Sequence, residues 1–220
     1  MATSITIEKG LADNLEMAMK RAEDGQDLAM AYALSIADRC AHQLGKDISG
    51  ERERIRATGY AAALRVYLGM AAERASQGQD YSMECALSIA ERCAAQAGRD
   101  ISAERTAIEA TGYAAALRVN LEMAAERASQ GQDYSMECAL SIAERCAAQA
   151  GRDISAERTA IEATGYAAAL RVNLEMAAER ASQGQDYSME CALSAAERYA
   201  EKSGTEISAQ VAEIRASLRT

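Results

Sequence analysis

Apolar and polar positions follow the period of an α-helix along this chain, and the pattern itself recurs every 53 residues. The clearest stretch is 134–150. At about 100° per residue, Met136, Ala139, Leu140, Ile142, Ala143, Cys146, Ala147 and Ala150 fall on one broad arc. Glu137, Ser141, Glu144 and Arg145 fall opposite, which predicts an amphipathic helix. A longer segment, 155–183, carries one narrow polar stripe: Glu157, Thr164, Arg171, Glu175 and Ser182. Ile161, Tyr166, Ala168, Leu170, Val172, Leu174 and Met176 occupy the rest, so this helix is expected to be surrounded by others. Gly165 lies inside it; the stripe keeps its phase across that residue, which favours one continuous, kinked or straight, helix over two.

The recurrence is close to literal. GYAAALRV begins at Gly59, Gly112 and Gly165. Units 59–111 and 112–164 differ at two positions only, Tyr67 against Asn120 and Gly69 against Glu122. Unit 6–58 is diverged but in register, and unit 165–217 diverges from Ala195 onward. Short connectors alternate between the helices. In SQGQD, Gly131 is expected to end a helix and Asp133 to cap the next. In GRDIS, Gly151 is the expected C′ residue and Ser155 the expected N-cap. Short connectors make neighbours antiparallel. The fold class that follows is all-α, with tandem helix pairs stacked as an α-solenoid. One repeat domain over 1–220 is expected, with 6–58 and 165–217 as cap units and a final short helix around Ile207–Leu218.

The outer units differ from the inner ones. Ala95 and Ala148 correspond to His42 and Glu201; Ala107 and Ala160 to Arg54 and Glu213; Ala97 and Ala150 to Leu44 and Ser203. Polar residues at the ends of a stack are expected where neighbours cover the inner units. With near-identical inner units and Gly-punctuated loops, the chain resembles engineered helical-repeat proteins of the designed or consensus α-solenoid kind. That resemblance implies a scaffold with no evolved activity. It rests on architecture, since the tetratricopeptide and ankyrin signatures are both missing. Joining 1–85 to 192–220 would leave Cys85 followed by the same Ala-Leu-Ser, so a small helical parent lengthened by copies of its own unit also fits. Recent natural duplication is the alternative origin.

Composition changes this picture little. Pro, Phe and Trp are absent and Ala dominates, which suits close-packed helices. A formal charge of −9 argues against a nucleic-acid partner. No hydrophobic run reaches transmembrane length and MATSITIEKG lacks a signal-peptide core, so a cytoplasmic location with no membrane partner is expected.

Candidate chemistry is sparse. The cysteines form two ladders, Cys40, Cys93, Cys146 and Cys85, Cys138, Cys191. Cys138 and Cys146 stand eight residues apart on one helix, too far for a disulfide, and no CxxC occurs. Buried, reduced core filler is the expected role; pairing between repeats is left open. His42 is unique to its unit and reads as a solvated cap residue. Glu137 and Glu144 read as a solvated charged face with Arg145. Tyr60, Tyr113 and Tyr166 read as core aromatics whose hydroxyls reach a partner. Tyr81, Tyr134 and Tyr187 would be the best gripping surface if exposed, but packing between helix ends is the expectation. No catalytic, cofactor-binding or metal-binding residue is assigned, no cofactor is expected and no partner is required. Self-association through the ends remains compatible with the pattern. The function expected is a structural scaffold; a protein- or peptide-binding solenoid and a thiol-based metal binder are the alternatives.

Overall fold

The computed structural model describes residues 4–217. Among them are nine α-helices and no strand. They are α1 (Ser4–Glu23), α2 (Asp27–Leu44), α3 (Ser49–Ser76), α4 (Asp80–Gln96), α5 (Ser102–Ser129), α6 (Asp133–Gln149), α7 (Ser155–Ser182), α8 (Asp186–Ser203) and α9 (Ser208–Ser217). The protein is an all-α helical repeat. The far end of the last expected helix, Leu218, lies outside the described residues. No helix among the described residues is long and apolar enough to cross a membrane.

The chain divides into two compact units between Gly112 and Tyr113, within one residue of the junction between the second and third periods. In the first unit α1 packs along α2 and α3, and α3 along α4. In the second, α7 packs along α6, α8 and α9. Burial on α6 follows the expected arc: Met136, Ala139, Leu140, Ala143, Cys146 and Ala147 are buried. Ile142, at the edge of that arc, is 39% exposed.

The long helices run unbroken through Gly59, Gly112 and Gly165. The continuity expected across Gly165 holds at all three glycines. Each is a slot. A Cβ on Gly165 would overlap the Met136 sulfur and come within 3.4 Å of the Ala128 Cα. Gly59 receives Met30 and Gly112 receives Met83 in the same way. The helix-propensity cost of glycine, about 1 kcal/mol, is thus set against burying a whole methionine, which stabilises by about 1.5–3 kcal/mol.

Three further expectations are corrected. The long helix is not surrounded: Val172 is 36% and Met176 42% exposed, because neighbours cover only the face carrying Gly165, Ala169, Leu170, Ala177 and Ala181. The end-unit reading also fails at most of its positions. Ala95, Ala148, Ala107 and Ala160 are exposed in the inner units too, so His42, Glu201, Arg54 and Glu213 replace no covered residue. Finally, neither expected N-cap residue acts as one. Ile154 is the N-cap of α7 and makes no side-chain cap bond; one residue earlier the Asp153 carboxylate accepts the Ser155 N–H at 2.9 Å. That bond holds the Asp153 carboxyl below its ordinary pKa. Asp133 opens α6 as a helical residue, after a Gln132 whose side chain makes no cap bond. Gly151 does take the C′ role, with φ of 63° and the Arg152 N–H donating to the Ala147 carbonyl at 2.8 Å.

Candidate functional site

The repeated ionisable side chains converge where a short helix meets the long helix that follows it. Arg158 on α7 bonds Glu162 one turn ahead at 2.7 Å, reaches Glu137 of α6 at 3.4 Å and pairs with Glu144 of α6. The Tyr166 hydroxyl donates to Glu137 at 2.9 Å, so the expected hydroxyl partner of this aromatic is a carboxylate. Arg105 repeats the clasp in the first unit with Glu91 and Glu109, and Arg52 with Asp38 at 3.3 Å. Glu137 and Glu144 are therefore not a free solvated face. The recurrence of arginine at 52, 105 and 158 was visible in the sequence; its reach to carboxylates on another helix depends on how the helices cross.

Around this clasp, Tyr166 stacks on Tyr199 with ring centroids 6.4 Å apart, and the Lys202 ammonium lies 4.5 Å from the Tyr166 centroid. Burial, then the bond to Glu137, pushes the Tyr166 phenol up to about 12. Burial and a bond to Asp133 do the same for Tyr199, also to about 12. The Arg158 guanidinium is pushed further above its already high value by its bonds to Glu144 and Glu162. A proton-transfer group at neutral pH needs its pKa moved toward 7. Here the shifts run the other way: the two phenols stay protonated and the guanidinium stays charged.

The cysteines separate into two environments. Cys93 and Cys146 are buried and Cys40 is half-buried, but Cys85, Cys138 and Cys191 are exposed. The core-filler expectation is corrected for the second ladder, which lies on the side of the short helix turned from its long partners. None of the six cysteines is in a disulfide. Burial first, then the charge of Asp27, raises the Cys93 thiol. Among the described residues no group of three or more His, Cys, Asp and Glu is placed to hold a metal ion. His42 is exposed, as expected of a solvated residue.

Tyr81, Tyr134 and Tyr187 do not pack between helix ends. They are 76%, 80% and 84% exposed, and Leu28 holds the same place in the first period at 83%. Each tyrosine stands four residues before an exposed cysteine, so Tyr134 and Cys138 share one helix face. Exposed Val172 and Met176 form a second such pair on α7.

In each unit a groove lies between two helices that flank a short one, α1 with α3 and α7 with α9. The groove between α1 and α3, of about 570 Å³, is lined by Leu15, Glu16, Met19, Lys20, Glu23, Glu51, Arg54 and Ile55. Its counterpart between α7 and α9, of about 460 Å³, is lined by Leu174, Glu175, Ala178, Gln210, Glu213, Ile214 and Ser217. Leu15 and Leu174 hold equivalent places in the period, as do Ile55 and Ile214. Their place in a groove gave no signal in the sequence beyond the repeat itself. Compared with known proteins, the chain matches no family model, no curated protein and no solved structure.

Proposed function

We propose that the protein is a structural repeat scaffold without catalytic activity, engineered by lengthening a small helical parent with regularised copies of its own unit. The observation that carries this reading is the recurrent clasp. Arg52 with Asp38, Arg105 with Glu91 and Arg158 with Glu144 occupy the same places in three successive periods, each joining a short helix to the next long helix. Polar side chains that recur with the repeat thus join the two helices of each unit. Each exposed pair contributes up to about 1 kcal/mol, so the clasp sets register more than it supplies stability.

Modularity tests the reading. Deleting 86–138 removes one period and joins Cys85 to Ala139, which restores the local sequence. The shortened chain is expected to fold, remain helical and melt somewhat lower. Deleting two residues fewer turns the downstream half of the helix by about 200° and is expected to prevent folding. A 53-residue deletion that fails to fold, or that behaves like its shorter neighbour, removes the scaffold reading.

A second reading, peptide binding, draws support from the two grooves, in which Leu15, Leu174 and Ile214 are only half-buried.

A further inference from the structure

We propose that the groove between α7 and α9 is a docking site for a cationic amphipathic helix. This rests on the peptide-binding reading and names the partner's chemistry. Leu174 and Ile214, both half-buried, leave apolar surface on the groove floor, with Ala178 between the helices. Glu175 and Glu213 stand beside that floor, and no lysine or arginine among the described residues lines it. Glu213 has no hydrogen-bond or ion-pair partner among the described residues. Glu175 has Arg171 at 3.9 Å, an outlying pair with side chains 69% and 71% exposed, so water screens most of their attraction. An apolar floor with unneutralised carboxylates at its edge fits a helix carrying Leu or Ile on one face and Lys or Arg beside it. The whole-chain charge of −9 steers such a partner inward and repels anionic surfaces and a second copy of this chain.

The molecule contains its own control. The groove between α1 and α3 has Leu15 and Ile55 at the equivalent places, with Ile55 buried and Met19 in place of Ala178, and Lys20 and Arg54 line it. Arg54 and Glu213 occupy the same place in the period. The two grooves therefore differ in cationic lining: among the described residues the α7–α9 groove has none, whereas Lys20 and Arg54 stand among Glu16, Glu23 and Glu51 in the α1–α3 groove.

The test is fluorescence anisotropy with a labelled Leu/Lys amphipathic peptide of about 18 residues, roughly 27 Å when helical, titrated with the full chain. The expected result is saturable binding at one site, weakening as salt is raised. The variant Glu175→Lys/Glu213→Lys, at two exposed positions whose folding circular dichroism will verify, should lose about tenfold or more, the combined effect of two exposed ion pairs. Lys20→Glu/Arg54→Glu should keep that site and gain a second. Binding that is unchanged in Glu175→Lys/Glu213→Lys overturns the assignment of the groove. A Leu/Gln peptide of the same pattern that binds as well as the Leu/Lys one overturns the cationic partner but leaves peptide binding standing. Absence of binding by either peptide overturns both.

Discussion

The turn SQGQD occurs at residues 76–80, 129–133 and 182–186, and comparing the last two separates what the local sequence dictates from what the neighbours add. Locally they are the same. Gly131 and Gly184 both have φ of 67°. The Gln132 N–H donates to the Arg127 carbonyl at 3.0 Å, and the Gln185 N–H to the Arg180 carbonyl at 2.9 Å. The surroundings differ. A Cβ on Gly131 would meet the Ala169 nitrogen at 3.0 Å and the Ala168 carbonyl carbon at 3.1 Å; a Cβ on Gly184 would meet nothing within 4 Å. The α5–α6 turn is covered by the long helix of the next period, and the α7–α8 turn is open. The same contrast runs through the side chains beside them. Asp133 is half-buried and receives the Tyr199 hydroxyl, whereas Asp186 is exposed. Where Arg158 makes its clasp, the last period has Val211, which is buried, and Arg215, which makes a two-pronged pair with Glu190 at 2.8 and 2.7 Å.

The largest expected effect is at the covered junction. Met136 is fully buried with its sulfur against Gly165, so Met136→Ala should cost about 2–5 kcal/mol in a denaturant melt. Gly165→Ala by itself should lose stability through overlap with that sulfur, despite its gain in helix propensity. Combined, each substitution relieves the other: the new methyl enters the space the methionine left. A double variant no more stable than Met136→Ala would mean that Gly165 is not a slot.

The two turns give a subtraction that isolates coverage. Gly131→Ala and Gly184→Ala both force alanine into a left-handed conformation, at about 1–2 kcal/mol each. Only Gly131→Ala also drives a methyl into the backbone of α7, for about 1–3 kcal/mol more. Equal melts for the two variants would show that α7 does not press on the turn in solution.

Most of the architecture was legible because it depends on local rules. The 3.6-residue pattern located each helix, and Gly131 and Gly151 ended theirs as their αL preference requires. What stayed hidden needed knowledge of which faces meet. Ala95 and Ala107 looked like covered positions because alanine suits both close packing and solvent; they prove exposed. The real differences at the ends lie elsewhere. Thr6 and Lys9, both exposed, stand where the second period has buried Gly59 and Ala62. Tyr134 and Cys138 misled for a related reason: both residue types are usually placed inside, and only the helix's packing shows that this face is turned outward.

Thiol chemistry sharpens that lesson at smaller scale. Cys85, Cys138 and Cys191 should react with a chromogenic disulfide reagent in a fast phase of three equivalents. Cys93 and Cys146 should wait for local opening, with Cys93 slowed again because its raised pKa leaves less thiolate. Six equivalents appearing only on denaturation would place the exposed ladder inside an interface.

The smallest expected effect is alkaline, and it arises at the covered junction. Tyr166 and Tyr199 are both raised from an ordinary value near 10 to about 12, first by burial and then by hydrogen bonds to Glu137 and Asp133. The folded state therefore keeps these two protons over a range in which the unfolded chain has released them. Below pH 10 both states are protonated and this contribution is constant. Between pH 10 and 12 the unfolded state binds fewer protons, so stability falls as pH rises, and above 12 both states are ionised. Other tyrosines and the lysines titrate in the same window, so the informative quantity is a difference between variants. Tyr166→Phe/Tyr199→Phe keeps the rings and their stacking but removes the ionising hydroxyls. Its melting temperature should fall less steeply from pH 10 to 12 than that of the parent, although it starts lower for want of two hydrogen bonds. Parallel slopes would show that neither phenol is held by its carboxylate, and the clasp around Arg158 would then lack the tyrosine contact that joins α6 to α7.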